Sequence, residues 1–244
     1  MIRCLPAARL VLVMLLTTTI AQAAEFTPAQ RAEVVAIVRQ ALKQDPSILR
    51  DAVVALQEDD TQKSQAASQA AIRQSQAELV TPADPAVGDP NGDVTIVEFF
   101  DTRCPYCRKM EPVMENFLNH DRKVRLVYKD LPILGPASVL GTRALLAAQK
   151  QGAYPRMRDA VMQLPPDTTL PQIESAARGL GLDWPRMQRD MDDPSVQTRI
   201  DANLKLAHTL GIQGTPALII GNDMIPGAVD LPDLQKAVAE ARKG

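Results

Sequence analysis

Two cysteines three residues apart, Cys104 and Cys107, are the side chains with which this chain could do chemistry. They stand in Cys104-Pro105-Tyr106-Cys107, and their neighbours decide what the pair means. Before them, Val94-Thr95-Ile96-Val97-Glu98-Phe99-Phe100 is rich in β-branched and aromatic residues and predicts a buried strand. After them, Met110, Val113, Met114, Phe117 and Leu118 recur at helical spacing. The pair therefore opens a helix just beyond a strand. A thiolate, not a thiol, attacks disulfides. The first turn of a helix offers unpaired N–H groups and the positive end of its dipole, and both favour a thiolate at Cys104. Arg103, Arg108 and Lys109 are expected to add to that field. Cys107 falls on the same helical face and should be the more buried, less reactive partner. Pro105 narrows the turn and removes one donor.

A Cys-x-x-Cys can also be half of a zinc site. Zinc takes about four ligands, and beyond the pair and Cys4 the chain offers only His120 and His208 as further soft or imidazole ligands. No metal is expected, and His208 reads as structural or exposed.

The elements that must hold this pair lie in a chain of 244 residues, long enough for one or two domains with a sizeable core. A formal net charge of −2 and only 3% aromatics give no basic or stacking surface for nucleic acid. Residues 1–23 read as a secretory signal. Arg3 and Arg9 precede an apolar run from Leu10 to Ile20, and Ala21-Gln22-Ala23 is a cleavage site. The run is short for a membrane anchor. Cleavage would remove Cys4 and leave the pair as the only cysteines, in an oxidising compartment where its disulfide persists.

Residues 24–80 read as a helical arm. Thr27-Pro28-Ala29-Gln30 is a capping box with proline at the first helical position. Asp45-Pro46 ends that helix and starts the next. Val34, Ile37, Val38, Leu42, Ile48, Leu49, Val53 and Leu56 form apolar stripes, whereas residues 57–78 are polar and hold Ile72 as the one large aliphatic. That stretch reads as a solvated rod with nothing to form a core. The stripes could pack back onto the main domain or pair with the same segment of another chain.

Residues 81–244 read as the main domain, after a linker of turns over 81–93. A strand over 123–129 follows the active-site helix, giving a parallel strand–helix–strand unit. Residues 136–210 are helical throughout. Gly211-Ile212-Gln213-Gly214-Thr215-Pro216 leads into Ala217-Leu218-Ile219-Ile220, a turn at 221–223, a short strand, and a closing helix over 231–242.

These features together resemble the thioredoxin fold: the strand, Cys-Pro-Tyr-Cys at a helix start, Pro112 inside that helix, and a terminal β–β–α with Gly-Thr-Pro before it. The helical insert resembles the DsbA-like branch, and the whole chain after residue 23 is similar to the ScsC-type members, which carry a helical arm. The fold class expected is α/β, a thioredoxin fold with a helical insertion and an N-terminal oligomerisation arm. The resemblance implies Cys104 as nucleophile and Cys107 as resolving thiol. It also implies Pro105, Tyr106, Thr215 and Pro216 as the surface that meets substrate, with a cis peptide before Pro216. Glu98 matches the family's buried carboxylate under the active site, a proton-transfer role; the alternative is an edge position paired with Lys129. DsbA-type oxidases usually carry His where Tyr106 stands and often Val where Thr215 stands, so this pairing looks more like the isomerase and reductase members.

The activity this implies is periplasmic thiol–disulfide exchange, with isomerase or reductase action favoured. It needs no cofactor beyond the redox-active disulfide Cys104–Cys107. Its partners would be protein thiols and disulfides, a membrane redox partner and further copies of the chain, as dimer or trimer through residues 24–80. The alternatives are a monomeric dithiol oxidase, a copper(I)-binding protein using the soft thiolate pair, and a holdase using the apolar face of the arm.

Overall fold

The computed structural model describes residues 26–243, so the segment 1–23 read as an export signal lies outside the described residues. The described chain forms two compact units, residues 26–58 and 59–243. The first holds α1 (Pro28–Gln44) and the N-terminal part of α2 (Ser47–Gln74). The capping box forms: the Thr27 N–H donates to Gln30 Oε1 at 2.9 Å and the Gln30 N–H to Thr27 Oγ1 at 3.3 Å. No residue of α1 is buried, and Val34, Ile37, Val38, Leu42, Ile48, Leu49, Val53 and Leu56 are all exposed within their own unit.

The second unit contains the end of α2, α3 (Gln76–Leu79), β1 (Ala86–Gly88), β2 (Val94–Phe100), α4 (Pro105–His120) and β3 (Val124–Asp130). The insert follows as α5 (Pro136–Gln149), α6 (Tyr154–Met162), α7 (Leu170–Gly179), α8 (Trp184–Met191) and α9 (Pro194–Thr209). The chain closes with β4 (Ala217–Ile220), β5 (Asp223–Pro226) and α10 (Leu231–Ala241). The five strands form one sheet in the order β1-β3-β2-β4-β5. β2 and β3 are parallel, as the helix between them requires; the other pairs are antiparallel. β2 is central, and Glu98 lies between Tyr128 of β3 and Leu218 of β4.

Alternation along β2 assigns its two faces. Val94, Ile96 and Phe100 join Met110, Met114 and Phe117 of α4, the insert helices, and Leu234 and Val238 of α10. Val97 and Phe99 face the other way, onto Leu206, Ala207 and Leu210 of α9 and its end. Ile72 and Leu79 complete this second layer, both fully buried. This corrects the expectation of a solvated rod at the end of 57–78, while residues 57–67 are exposed as that reading has them. A single aliphatic side chain forms no stripe, but burying Ile72 or Leu79 is still worth roughly 1.5–3 kcal/mol each. The boundary therefore falls near residue 58 and not near residue 80.

The stretch read as a linker also does more than turn. Its Ala86–Gly88 pairs with Arg125–Val127 as an edge strand. Just before it, Asp84 accepts from Lys129 Nζ at 2.9 Å and from Arg199 at 2.5 Å, and Lys129 also donates to the Glu78 carbonyl at 2.7 Å. Lys129 thus belongs to Asp84 and not to Glu98, and Glu98 lies on the central strand, so the edge-position alternative is set aside.

Candidate active site

Strand β2 ends and α4 begins within five residues, and Asp101 organises the turn between them. Its carboxylate is fully buried. Oδ1 accepts the Arg103 N–H at 2.8 Å, and Oδ2 accepts those of Ile133 and Leu134 at 2.8 and 3.0 Å. Its carbonyl accepts the Cys104 N–H at 3.0 Å. One side chain therefore fixes both the turn that carries Cys104 and the loop after β3. Helix α5 closes from the side at Gly141, where a Cβ would stand 2.5 Å from Thr102 Oγ1. Glycine costs about 1 kcal/mol inside a helix relative to alanine, but nothing larger fits here.

Cys104 is the N-cap of α4 and Pro105 its first residue. The Cys104 thiol is 4% exposed and donates to the Thr215 carbonyl at 3.1 Å. The peptide between Thr215 and Pro216 is cis. Chain segments 111 residues apart thus meet at one sulfur. Cys107 is fully buried one turn on, and both cysteines are free thiols. Burial above all pushes the Cys107 thiol up; the neighbouring Cys104 and Glu98 add to this, against hydrogen bonds from the Asp101 main chain and the Thr215 side chain. Cys107 therefore needs help to lose its proton. Tyr106 is 59% exposed, and Pro105, Ile133 and Leu134 are exposed beside it in sequence or through Asp101.

The basic residues expected to act on Cys104 have other partners. Arg103 donates to the carbonyls of Pro166 and Leu134. Arg108 donates to the Thr102 carbonyl at 2.9 Å and the Leu164 carbonyl at 2.7 Å. Lys109 Nζ lies 5.6 Å from the centre of the Tyr106 ring. The two arginines tie the insert to the active-site turn.

Glu98, on the central strand β2, is fully buried and acts electrostatically on Cys107. Its Oε2 accepts from Arg158 at 3.3 Å, and Oε1 has no partner among the described residues. Burial pushes its carboxyl up to about 7, with Arg158 opposing and Glu111 adding. Arg158 comes from helix α6 of the insert. It also donates to both oxygens of Glu111, and its guanidinium packs on Phe100 and Tyr128. Asp130, equally buried, accepts from Tyr154 at 2.9 Å and is pushed up to about 7 by burial. Asp101 and Arg158 were missed because their partners lie about 30 to 60 residues away, beyond any motif spacing. The exposed His208 and the two cysteines form no cluster of metal ligands with other side chains among the described residues.

This architecture has relatives. The model of the DSBA-like thioredoxin domain matches residues 95–239, more than half of the chain. A thioredoxin-like oxidoreductase from Silicibacter pomeroyi is 41% identical, over 67% of this chain and 95% of that one, with a TM-score of 0.65. ScsC of Proteus mirabilis, in a transitional conformation, is 30% identical over 89% of this chain and 97% of that one, also with a TM-score of 0.65. A Na+/H+ antiporter, NhaA 1 of Salinispora arenicola, is 28% identical over 173 residues, 68% of this chain. The chain spans about a quarter of the length of that relative, 26%. No helix among the described residues is long and apolar enough to cross a membrane. On the family match, the identity to the Silicibacter oxidoreductase and the likeness to ScsC across arm and domain, the chain belongs to the DsbA-like thioredoxin-domain family and stands with its ScsC-type members.

Proposed function

We propose that this chain is a periplasmic thiol–disulfide oxidoreductase that works mainly as an isomerase or reductase of exported proteins. The observation that carries the reading is the pairing of two unlike thiols. Cys104 caps a helix and touches the Thr215 carbonyl, while Cys107 is fully buried one turn on and feels the charge of the buried Glu98. Cys104, as thiolate, attacks one sulfur of a substrate disulfide and forms a mixed disulfide, and the other substrate sulfur leaves as thiolate. In isomerisation a substrate thiolate then attacks the mixed disulfide and releases Cys104 unchanged. In reduction Cys107 gives its proton to Glu98 and attacks Cys104 Sγ, the second substrate sulfur leaves, and the pair ends oxidised.

Tyr106 beside the nucleophile and Thr215 before Pro216 favour the isomerase side, as does the exposed apolar arm. No cofactor is required beyond the pair itself. A membrane-bound dithiol donor would keep the pair reduced, and residues 26–58 would join copies of the chain. Reduced protein should restore activity to scrambled ribonuclease faster than the oxidised protein oxidises reduced ribonuclease. The Cys107→Ser variant should accumulate substrate adducts on Cys104, visible on non-reducing gels, and Cys104→Ser should form none. Absence of adducts with Cys107→Ser would reverse the roles of the two thiols. Efficient oxidation without isomerisation would make the protein an oxidase.

A further inference from the structure

Arg158 is a buried charge that dithiol exchange does not itself call for. It lies on α6, 3% exposed, with its guanidinium 4.5 and 4.2 Å from the ring centres of Phe100 and Tyr128. Its two terminal nitrogens donate to the two oxygens of Glu111 at 2.5 Å each, and one also donates to Glu98 Oε2 at 3.3 Å. Two carboxylates thus share one guanidinium, and arginine stays charged at every relevant pH. One negative charge is left over, and burial of Glu98 favours its protonated form, with Arg158 opposing and Glu111 adding. Geometry decides where that proton goes. The Glu111 side chain is 25% exposed and holds two short charge-assisted bonds. Glu98 holds one long bond, has an oxygen without a partner among the described residues and is only 1% exposed.

The other ionisable groups acting on Glu98 or its partner are few. Cys107 comes from α4 and Tyr128 from β3, and β4 offers only Leu218 opposite Glu98. Asp130, Tyr154 and Asp159 act on Arg158 as well. Glu111 and Arg158 line a cleft of about 530 Å³ together with Glu115 and Asp159, so the Glu111 end of the triad meets solvent.

We propose that Arg158 and Glu111 are positioning residues that set the pH at which Glu98 takes the proton from Cys107, Glu111 competing with Glu98 for one guanidinium. This rests on the roles given above to Cys104, Cys107 and Glu98. In the step concerned, the Cys107 S–H bond breaks and its proton forms an O–H bond on Glu98. The Cys107 electron pair forms the bond to Cys104 Sγ, and the substrate sulfur departs with the electrons of the mixed disulfide. The pair is oxidised and the substrate reduced.

The test is to mix reduced protein with glutathione disulfide, quench with acid and follow the adduct by mass spectrometry. Capture by Cys104 and resolution by Cys107 are then separate, and the readout is the midpoint of the resolution-to-capture ratio against pH. Glu111→Gln frees Arg158 for Glu98 and should move the midpoint to the acid side by about one pH unit. Arg158→Met should move it as far to the alkaline side, and Arg158→Lys should fall between Arg158→Met and the parent protein. If Glu111→Gln and both arginine variants leave the midpoint in place while Glu98→Gln abolishes the inflection, the proposal is overturned and Glu98 remains the acceptor. If Glu98→Gln keeps the inflection, or no adduct forms on Cys104 at all, the underlying roles fail instead. Should Arg158→Met not fold by circular dichroism, the isosteric Glu111→Gln at its partly exposed site and Arg158→Lys decide the matter.

Discussion

Glu98 and Asp130 hold protons in the folded chain at a pH where the unfolded chain has lost them. Burial moves their carboxyls from the ordinary 4.5 and 3.8 up to about 7. Between those values the folded state binds more protons than the unfolded one. The stability they contribute is therefore fully present below the ordinary carboxylate range and is lost as pH rises through about 7. A tenfold change in proton affinity between the two states is worth roughly 1.4 kcal/mol. Both groups act on Arg158, so their effects are coupled and not simply additive. The melting temperature of the reduced protein should fall between pH 5.5 and pH 8.5, and Glu98→Gln should flatten that slope. Thermal melts across the range check this, and a melting temperature that climbs with pH would contradict it. The same burial that makes Glu98 a usable proton acceptor thus weakens the fold at alkaline pH.

At the scale of elements, the junction of Asp84, Lys129 and Arg199 ties the segment before β1 to β3 and α9. Asp84→Ala would leave the Lys129 ammonium buried without its carboxylate, which costs about 3–5 kcal/mol. Urea denaturation should show that loss, and Lys129→Met in the same chain should recover part of it by removing the stranded charge. Elements with their own periodicity were legible from sequence. The strand over 94–100 appears with the bounds read for it, because β-branched and aromatic runs are local signals. Helix α4 remains continuous through Pro112. What was not legible depends on distant partners. β1 is three residues long between prolines and glycines, and it exists because β3 offers it an edge. Ile72 and Leu79 are isolated aliphatics, and they count only because the far face of the sheet has a space for them. Cys104, Cys107, Thr215 and Pro216 could be named from motifs. Asp101, Arg158 and Glu111 could not, since only the folded chain brings their partners to them.

At the scale of the whole molecule, the proposed self-association would run through the exposed stripes of residues 34–56, while the burial of Ile72 and Leu79 limits where the arm can be cut. A chain lacking residues 24–58 should sediment as a monomer, keep dithiol exchange with glutathione and lose most of its isomerase activity. A chain lacking 24–80 should also be unstable, since it gives up two fully buried side chains. Analytical ultracentrifugation beside ribonuclease refolding separates these outcomes, and an intact chain that runs as a monomer would end the case for the arm. The borders of the sheet have a further consequence. One border is the three-residue β1, and the other is the four-residue β5, which runs from Asp223 to Pro226. Both are short, and β5 also carries a charge and a proline, which makes them poor templates for another strand. On the proposed function, unfolded clients would be held close to the surface, where strand addition would seed joint aggregates. With its long hydrophobic strands β2 and β3 enclosed between neighbours, this fold can meet such clients through sulfur and side chains while offering their backbones little to pair with.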